Sequence, residues 1–293
     1  MINRYVFLCG VLIAMAVSLQ GDEFLAREQI NEILEADRKP EAQLSTARRV
    51  CFCWSKPDHP KNVHAYEGFA KSFSTQLSAV QNVQASTVEG YPTKSQWESA
   101  DLVVFNLTLS SLSAEQLAAM DAHLDQGGSV IVVHQGLVQR KGYDEWAKRI
   151  GLAFSWAARE SRSKWGKGEL EISLDTKHEI FNGFPEKIRV KDELYWNLTP
   201  GGQGKLSVLG DTLAPTTAGA SESDANATKW PAFWTVEHAA KNGAKRGRVF
   251  CCVISHPNEV AFSLSFQIVM MRAFAWCLDE PAGPFLETIE PKS

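Results

Sequence analysis

The sequence has 293 residues, a formal net charge of −4 at pH 7 and a hydrophobic content of 44%. This composition is typical of a globular protein that is long enough to bury a large core. Basic residues are not in excess, so the sequence predicts no nucleic-acid partner.

Residues 1–20 have the pattern of a secretory signal peptide. Arg4 supplies the positively charged start, and residues 6–17 form an apolar run that is shorter than a membrane-spanning helix. The small residues suited to cleavage are Ala14, Ala16 and Ser18. We therefore expect a protein that is exported to the periplasm or secreted, with no membrane attachment after cleavage.

Residues 21–47 are charged and follow a helical period, which predicts a surface helix or linker before the main domain. The apolar stripe of this helix consists of Phe24, Ile30, Ile33 and Leu34. A single domain is predicted over residues 48–279, and the Pro-rich residues 280–293 are expected to form a loose tail.

Apolar strand patterns alternate with helical patterns in the first half of this domain. Strands are predicted at residues 48–54, 83–88, 100–106 and 129–133, and helices at 65–80 and 113–126. This alternation is typical of an α/β protein with a mostly parallel sheet and helices on both faces. Later in the chain we expect strands at 170–174, 205–209, 232–236 and 248–254, loop-rich residues 177–196, a mobile loop at 211–229 and an apolar helix at 262–278.

The central strand of the predicted sheet is residues 129–133, where apolar β-branched residues follow one another without polar alternation. Gly127 and Gly128 precede the strand and are suited to the end of the preceding helix. His134 follows the strand directly, and the carboxyl ends of strands form the ligand crevice in open α/β sheets. His134 is therefore a candidate functional residue, although a histidine at the edge of the core is the alternative.

Two other histidines also follow predicted strands. His64 comes after the first strand and His256 after the strand at 248–254, so we expect both to meet His134 at one sheet edge. Three imidazoles with an open position form a catalytic zinc site with nitrogen–metal distances of ~2.0–2.1 Å, so a divalent metal is a candidate cofactor. The alternative is three separate histidines, one of which acts as a metal-free base.

A second group of candidates is Asp192, Glu193 and Tyr195. Two carboxylates and a phenol in one segment can supply a general acid, a general base and a donor to an oxyanion. Either carboxylate could also add a fourth metal ligand or fix the orientation of an imidazole. The alternative is a solvated, charged turn.

The cysteines outside the signal peptide are Cys51, Cys53, Cys251, Cys252 and Cys277. Their spacing matches no metal-finger or Cys-x-x-Cys motif. Cys51 and Cys53 share one face of a predicted strand, where we expect buried thiols, with a disulfide as the alternative. The turn at His134 has no Cys or Ser beside it, so a nucleophile of the glutamine amidotransferase type is not supported.

Taken together, these stretches resemble the ThuA-like (trehalose utilisation) family of the class I glutamine amidotransferase-like superfamily. The matching stretches are His64, Gly127–His134, His178 with Gly183–Pro185, Asp192–Tyr195, Pro231–Trp234, Gly247–Phe250, and His256 with Trp276. Ser129 and Ser255 stand where the family usually has glycine. The resemblance implies a flavodoxin-like fold without the catalytic cysteine of the amidotransferases, and a role in the use of trehalose and other sugars through 3-keto-glycosides.

We therefore expect an exported enzyme that hydrolyses or eliminates 3-keto-glycosides by acid–base chemistry, without a nucleotide cofactor. The predicted catalytic residues are His134, Asp192, Glu193 and Tyr195. The predicted contacts to the sugar substrate are Gln135, Ser255 and Trp234, the last by stacking on the ring. The alternative is a non-catalytic sugar-binding protein on the same scaffold, which would not require His134.

Overall fold

The computed structural model describes residues 24–37, 44, 46–108, 111–156, 162–215, 228–239 and 245–289. The predicted signal peptide and its cleavage site lie outside these residues. Within the described ranges, no helix has both the length and the apolar character needed to cross a membrane.

Eleven strands are present in the described residues, and nine of them form one sheet. They are β1 (Arg48–Trp54), β2 (Val83–Glu89), β3 (Leu102–Asn106), β4 (Ser129–Val133), β5 (Leu152–Ala153), β6 (Lys164–Leu174), β7 (Lys187–Trp196), β8 (Thr199–Pro200), β9 (Gly204–Leu213), β10 (Lys229–His238) and β11 (Arg248–Cys252). The order in the large sheet is β2-β1-β3-β4-β11-β10-β9-β6-β7, and β5 pairs with β8 separately.

The first half of the large sheet is parallel, as the sequence predicts. β1 pairs with β2 and β3, and β4 pairs with β3 and β11, all in the parallel sense. Every residue of β3 and β4 is buried, which accounts for their uninterrupted apolar sequences. The carboxyl ends of β1, β4 and β11 consequently lie at the same edge of the sheet.

The second half of the sheet is antiparallel and differs from the sequence-based expectation in one strand. Residues 177–196 were expected to be loop-rich, but β7 occupies Lys187–Trp196 and pairs along its length with β6. In the first part of β7, buried Ile188 and Val190 alternate with exposed charged residues, as in a strand with one solvated face. The charged residues obscured this pattern in the sequence.

Eight α-helices occur in the described residues. They are α1 (Arg27–Asp37), α2 (Tyr66–Ser78), α3 (Lys94–Ser99), α4 (Ala114–Asp125), α5 (Tyr143–Ile150), α6 (Asn258–Ala261), α7 (Leu264–Leu278) and α8 (Gly283–Leu286). Phe52 packs on Phe274 of α7, whereas Phe105 packs on Trp146 of α5. Phe52 pairs with Val104, the neighbour of Phe105, so the two phenylalanines point to opposite faces and helices cover both.

Both ends of the described chain pack more tightly than the sequence suggests. The predicted surface helix or linker is α1, whose Asp37 lies 2.7 Å from the Arg272 guanidinium of α7. Part of the predicted loose tail forms α8, and Phe285 and Ile289 are fully buried. Apolar side chains at regular spacing therefore dock both segments on the domain.

Two further expectations concern the loop at 211–229 and the cysteines. The ends of that loop belong to β9 and β10, and residues 216–227 lie outside the described residues. All five cysteines outside the predicted signal peptide are buried free thiols, as predicted for Cys51 and Cys53.

Candidate active site

Three histidines from three separate connections converge at the carboxyl edge of the parallel half. The His64 Nε2 atom lies 3.0 Å from His134 Nε2 and 2.7 Å from His256 Nδ1. The distance from His134 Nε2 to His256 Nδ1 is 3.3 Å. All three side chains are buried, so the sheet brings the predicted histidines together as a compact cluster of ring nitrogens, which we call the histidine triad.

The backbone around the histidine triad adopts conformations that most residues avoid. The φ angles of His64, His134 and Ser255 are +51°, +45° and +103°, in the region that favours glycine. Residues in such conformations cost free energy that the surrounding structure must offset, and they are concentrated at functional sites. These conformations orient the imidazoles toward one another beyond the carboxyl ends of β1, β4 and β11.

A backbone partner defines which nitrogen of His134 carries the proton, and side-chain partners orient the His64 ring. His134 Nδ1 is 2.5 Å from the carbonyl oxygen of Val253, which can only accept, so Nδ1 carries the proton and Nε2 does not. The His64 Nδ1 atom lies 2.9 Å from the Tyr66 hydroxyl and 2.9 Å from His59 Nδ1. These contacts turn the opposite nitrogen of each ring toward the centre of the triad.

The histidine triad is uncharged at neutral pH. Burial lowers the pKa of His64 to about 3 and that of His256 to about 4, and it holds the pKa of His134 well below its usual range. Tetrahedral bonds of ~2.0–2.1 Å place neighbouring ligand atoms about 3.3 Å apart, close to the spacing of these nitrogens. Three neutral imidazoles at this spacing fit a divalent metal such as zinc, with a position left open.

Asp192 is buried next to the histidine triad, and its carboxylate oxygens accept hydrogen bonds from backbone N–H groups. Its carboxylate accepts the N–H groups of Glu193 at 2.6 Å, Ser255 at 2.7 Å and His256 at 3.0 Å. Burial raises the pKa of Asp192 to about 7, although these donors favour the ionised form. Asp192, predicted as catalytic, therefore has its oxygen atoms committed to holding the turn that carries His256.

Replacing Asp192 by asparagine should destabilise the fold. The amide retains one acceptor oxygen and presents an NH₂ group to backbone donors, which leaves buried N–H groups without partners. We expect the free energy of unfolding to fall by about 2 kcal/mol. Denaturant unfolding measures this, with Asp175→Asn as the matched control, because Asp175 also accepts a backbone N–H but is exposed. Equal losses in the two variants would contradict the assignment.

Glu193 and Tyr195 border the histidine triad. The Glu193 carboxylate is 3.4 Å from His256 Nδ1 and 3.9 Å from His134 Nε2. Burial raises its pKa, although the Lys167 ammonium group 3.8 Å away opposes this. Because the histidines are neutral, their contacts with Glu193 are not ion pairs.

The Tyr195 hydroxyl lies 3.0 Å from His134 Nε2 and donates to Gln135 Oε1 at 3.0 Å. Its ring stacks on His134 with centroids 4.8 Å apart, and burial raises the Tyr195 pKa well above the usual value. The phenol is therefore protonated at neutral pH and can act as a hydrogen-bond donor in the cleft.

The three predicted substrate contacts differ in their access to the cleft. Gln135 lines the cleft beside Tyr195, and Ser255 is buried in the turn next to the triad. Trp234 is fully buried, and its Nε1–H donates to the Ile150 carbonyl oxygen at 2.7 Å. A ring with no exposed face has no surface for stacking on a sugar, so this part of the prediction is wrong. The sequence concealed it because β10 carries apolar residues on both faces.

Several residues at the site were not predicted from the sequence. They are Asp58, His59, Tyr66, Thr108, Trp156, Trp165 and Lys167. Asp58 and His59 lie in a polar loop whose pattern gave no signal, yet the His59 ring packs 3.9 Å from that of His64. Trp165 and Lys167 are two residues apart on β6 and therefore share one face of the strand. A large aromatic and a charged residue on the same face could have indicated that this face borders a binding site.

Replacing Ser255 by glycine should stabilise the protein. Ser255 has φ +103°, and its buried Oγ has no hydrogen-bond partner among the described residues. Removing Cβ relieves the steric cost and should raise the free energy of unfolding by about 1 kcal/mol. Thermal unfolding measures the change. Ser263→Gly is the control, because Ser263 caps α7 at φ −65° and should lose stability; a loss at Ser255 as well would contradict the strain argument.

The fold and the site define an α/β protein with a histidine cluster beyond the carboxyl ends of the parallel strands. The family model described as ThuA, trehalose utilisation, matches residues 49–277. The match covers most of the chain, so the protein belongs to the ThuA family. No curated protein matches the sequence.

Solved structures support the same fold. A ThuA-like protein from Bacteroides uniformis is 16% identical with a TM-score of 0.58, and the match covers 85% of this chain and 99% of that one. A ThuA-like protein from Parabacteroides merdae is also 16% identical with a TM-score of 0.58, covering 80% and 90%. At this identity the likeness concerns the fold alone.

Proposed function

We propose that the protein is an enzyme that eliminates or hydrolyses 3-keto-glycosides related to trehalose, assisted by a divalent metal. The observation that carries the proposal is the convergence of three neutral imidazoles, within 3.3 Å of one another, beside the buried Glu193 carboxylate and the Tyr195 hydroxyl. Membership of a family described by trehalose utilisation supports the class of substrate.

His64, His134 and His256 would hold the metal, and Glu193 lies close enough to reach the same region. A divalent metal bound there would polarise a ketone oxygen or lower the pKa of a bound water to about 7. The same three residues, neutral and buried, exclude bulk water from the inner end of the cleft, which strengthens electrostatic interactions with the substrate.

Glu193 is the proposed base. In a 3-keto-glycoside the proton on C2 is acidic because it is adjacent to the C3 carbonyl, and a carboxylate with a raised pKa is suited to remove it. The C–H electron pair then forms an enolate, whose oxygen can accept a hydrogen bond from Tyr195. Collapse of the enolate breaks the bond from C1 to the glycosidic oxygen, and the departing oxygen takes up the proton that Glu193 removed from C2. Addition of water to the resulting double bond completes hydrolysis.

Two alternatives differ from this proposal in one step each. A metal-free enzyme would use an imidazole of the triad as the base. A non-catalytic sugar-binding protein would bind the same ligands without converting them, and the close contact of Glu193 with the triad favours the enzyme.

Incubation with 3-keto-trehalose, followed by product analysis, tests the proposed function. We expect release of glucose together with the unsaturated or hydrated keto product, at a rate that a chelator reduces and zinc restores. Unoxidised trehalose is the matched control and should not react, because its C2 proton is not acidified. Binding of 3-keto-trehalose without turnover in protein supplied with zinc would favour the sugar-binding alternative.

We also propose that the protein is exported, because residues 1–20 have the composition of a signal peptide. N-terminal sequencing of the protein purified from its native host should give a first residue between Leu19 and Glu23. A native protein that begins with Met1 would contradict export through a cleaved signal.

A further inference from the structure

Two large aromatic side chains are exposed at the mouth of the cleft. Trp165 is 50% exposed and Trp156 is 41% exposed, in contrast to the buried tryptophans Trp146, Trp196 and Trp234. Both line the same cavity, of about 220 Å³, as Glu193, Tyr195 and His256. Exposed aromatic surface beside a polar cleft is a common mark of ligand contact.

The pairing of β6 with β7 fixes Trp165 relative to the reacting groups. Trp165 lies directly opposite Tyr195, and Lys167 directly opposite Glu193. Opposed residues have Cα atoms about 4.5–5.5 Å apart and share a face of the sheet. Tyr195 therefore lies between the histidine triad, where it stacks on His134, and Trp165, which pairs with it across the two strands.

Trp156 also lies at the mouth of the cleft, and the Phe154 ring connects it to Tyr195. The Phe154 ring lies 5.2 Å from Tyr195 and 5.1 Å from Trp156, centroid to centroid. The Arg162 guanidinium lies over the Trp156 ring at 4.8 Å, which restricts the freedom of the indole. The two tryptophans thus border the cleft on the solvent side of Tyr195.

We propose that Trp165 and Trp156 form an outer subsite that stacks on the leaving sugar ring, so that the preferred substrates are two-ring glycosides. The proposal rests on the proposed function, which places the reacting ring at Glu193 and Tyr195. The cavity is smaller than the ~300–1,000 Å³ of pockets that enclose drug-sized ligands, so only one ring fits in its interior. A second ring must extend to the mouth, where apolar C–H faces of a sugar can pack on the indoles.

The Trp165→Ala variant tests the outer subsite by comparing two substrates of one reaction. For 3-keto-trehalose we expect kcat/KM to fall about 10-fold more than for methyl 3-keto-glucoside, which has no second ring to stack. The loss should lie mainly in KM. Leu213→Ala is the control, since Leu213 is also exposed, at 45%, but lies on β9 outside the cavity lining. Equal losses for the two substrates would overturn the subsite.

A binding measurement separates failure of the subsite from failure of the proposed function. Calorimetry with trehalose, which has two rings and does not react, should show weaker binding to Trp165→Ala and unchanged binding to Leu213→Ala. If no keto-glycoside reacts but this difference is found, the proposed reaction fails and the subsite stands. If trehalose and methyl glucoside bind both variants as they bind the original protein, the subsite is refuted whatever the chemistry.

Discussion

Replacing His256 by alanine should remove tight metal binding. The variant leaves two of the three imidazoles that surround the open position, and we expect the affinity for zinc to fall at least ~10²-fold. A metal that binds only the folded protein raises its stability by about 2.7 kcal/mol at a concentration 100 times its Kd. Zinc should therefore raise the Tm of the original protein, and the shift should be absent in the variant.

The thermal shift also separates loss of metal binding from loss of structure. His256→Ala must show a cooperative unfolding transition in the absence of zinc for the comparison to hold, and His134→Gln supplies a second, bulkier replacement within the triad. His178→Ala is the matched control, because His178 is partly buried and contacts the Ile180 N–H rather than the triad. If the original protein shows no zinc-dependent shift and elemental analysis finds no bound metal, the metal-free mechanism remains.

Glu193→Gln should lower turnover by at least ~10²-fold with little change in KM. Glutamine keeps the size of the side chain but cannot accept a proton from the substrate carbon, so the loss belongs to the chemical step. Steady-state kinetics with 3-keto-trehalose measure it. Since Lys167 lies 3.8 Å from the carboxylate, circular dichroism and zinc titration should confirm that the variant is folded and metal-competent.

Glu169→Gln is the control for the loss of one negative charge. Glu169 is exposed on β6, next to Lys167 in the period-2 pattern, and lies outside the cavity lining. Its replacement should leave the kinetics unchanged. Unchanged turnover in Glu193→Gln as well would show that this carboxylate only balances Lys167, and would return the role of base to an imidazole.

The parallel half of the sheet was accessible from the sequence because burial on both faces leaves an uninterrupted apolar run. β3 and β4 have this form, and the histidines that follow β1, β4 and β11 could be assigned to one edge from topology alone. The strand β7 was missed because half of its early residues face solvent and carry charge. A short segment in which charged and apolar residues alternate and acidic residues follow is also typical of a charged turn.

The detailed roles at the site depend on tertiary contacts that no local pattern encodes. Asp192 and Glu193 are adjacent in sequence, but one binds the backbone of the Ser255 turn and the other borders the triad. Trp234 and Trp165 are both tryptophans on strands, yet the first is fully buried and the second is half exposed. Which strand lies at the cleft depends on the order β10-β9-β6-β7, which the sequence did not predict.

The position of the antiparallel half has a consequence for how variants of this protein can be engineered. The chain leaves the parallel half after β4 and returns at β11, which is paired with β4, so the whole antiparallel portion is one excursion between adjacent strands. His64 and His256 lie outside that excursion and His134 is its first residue, whereas Glu193, Tyr195 and both cleft tryptophans lie well within it. Under the proposed function, a transplanted β6–β7 hairpin can therefore exchange Trp165 and its neighbours without moving the histidines, provided that it keeps Glu193, Tyr195 and the Asp192 carboxylate that binds the Ser255 and His256 backbone.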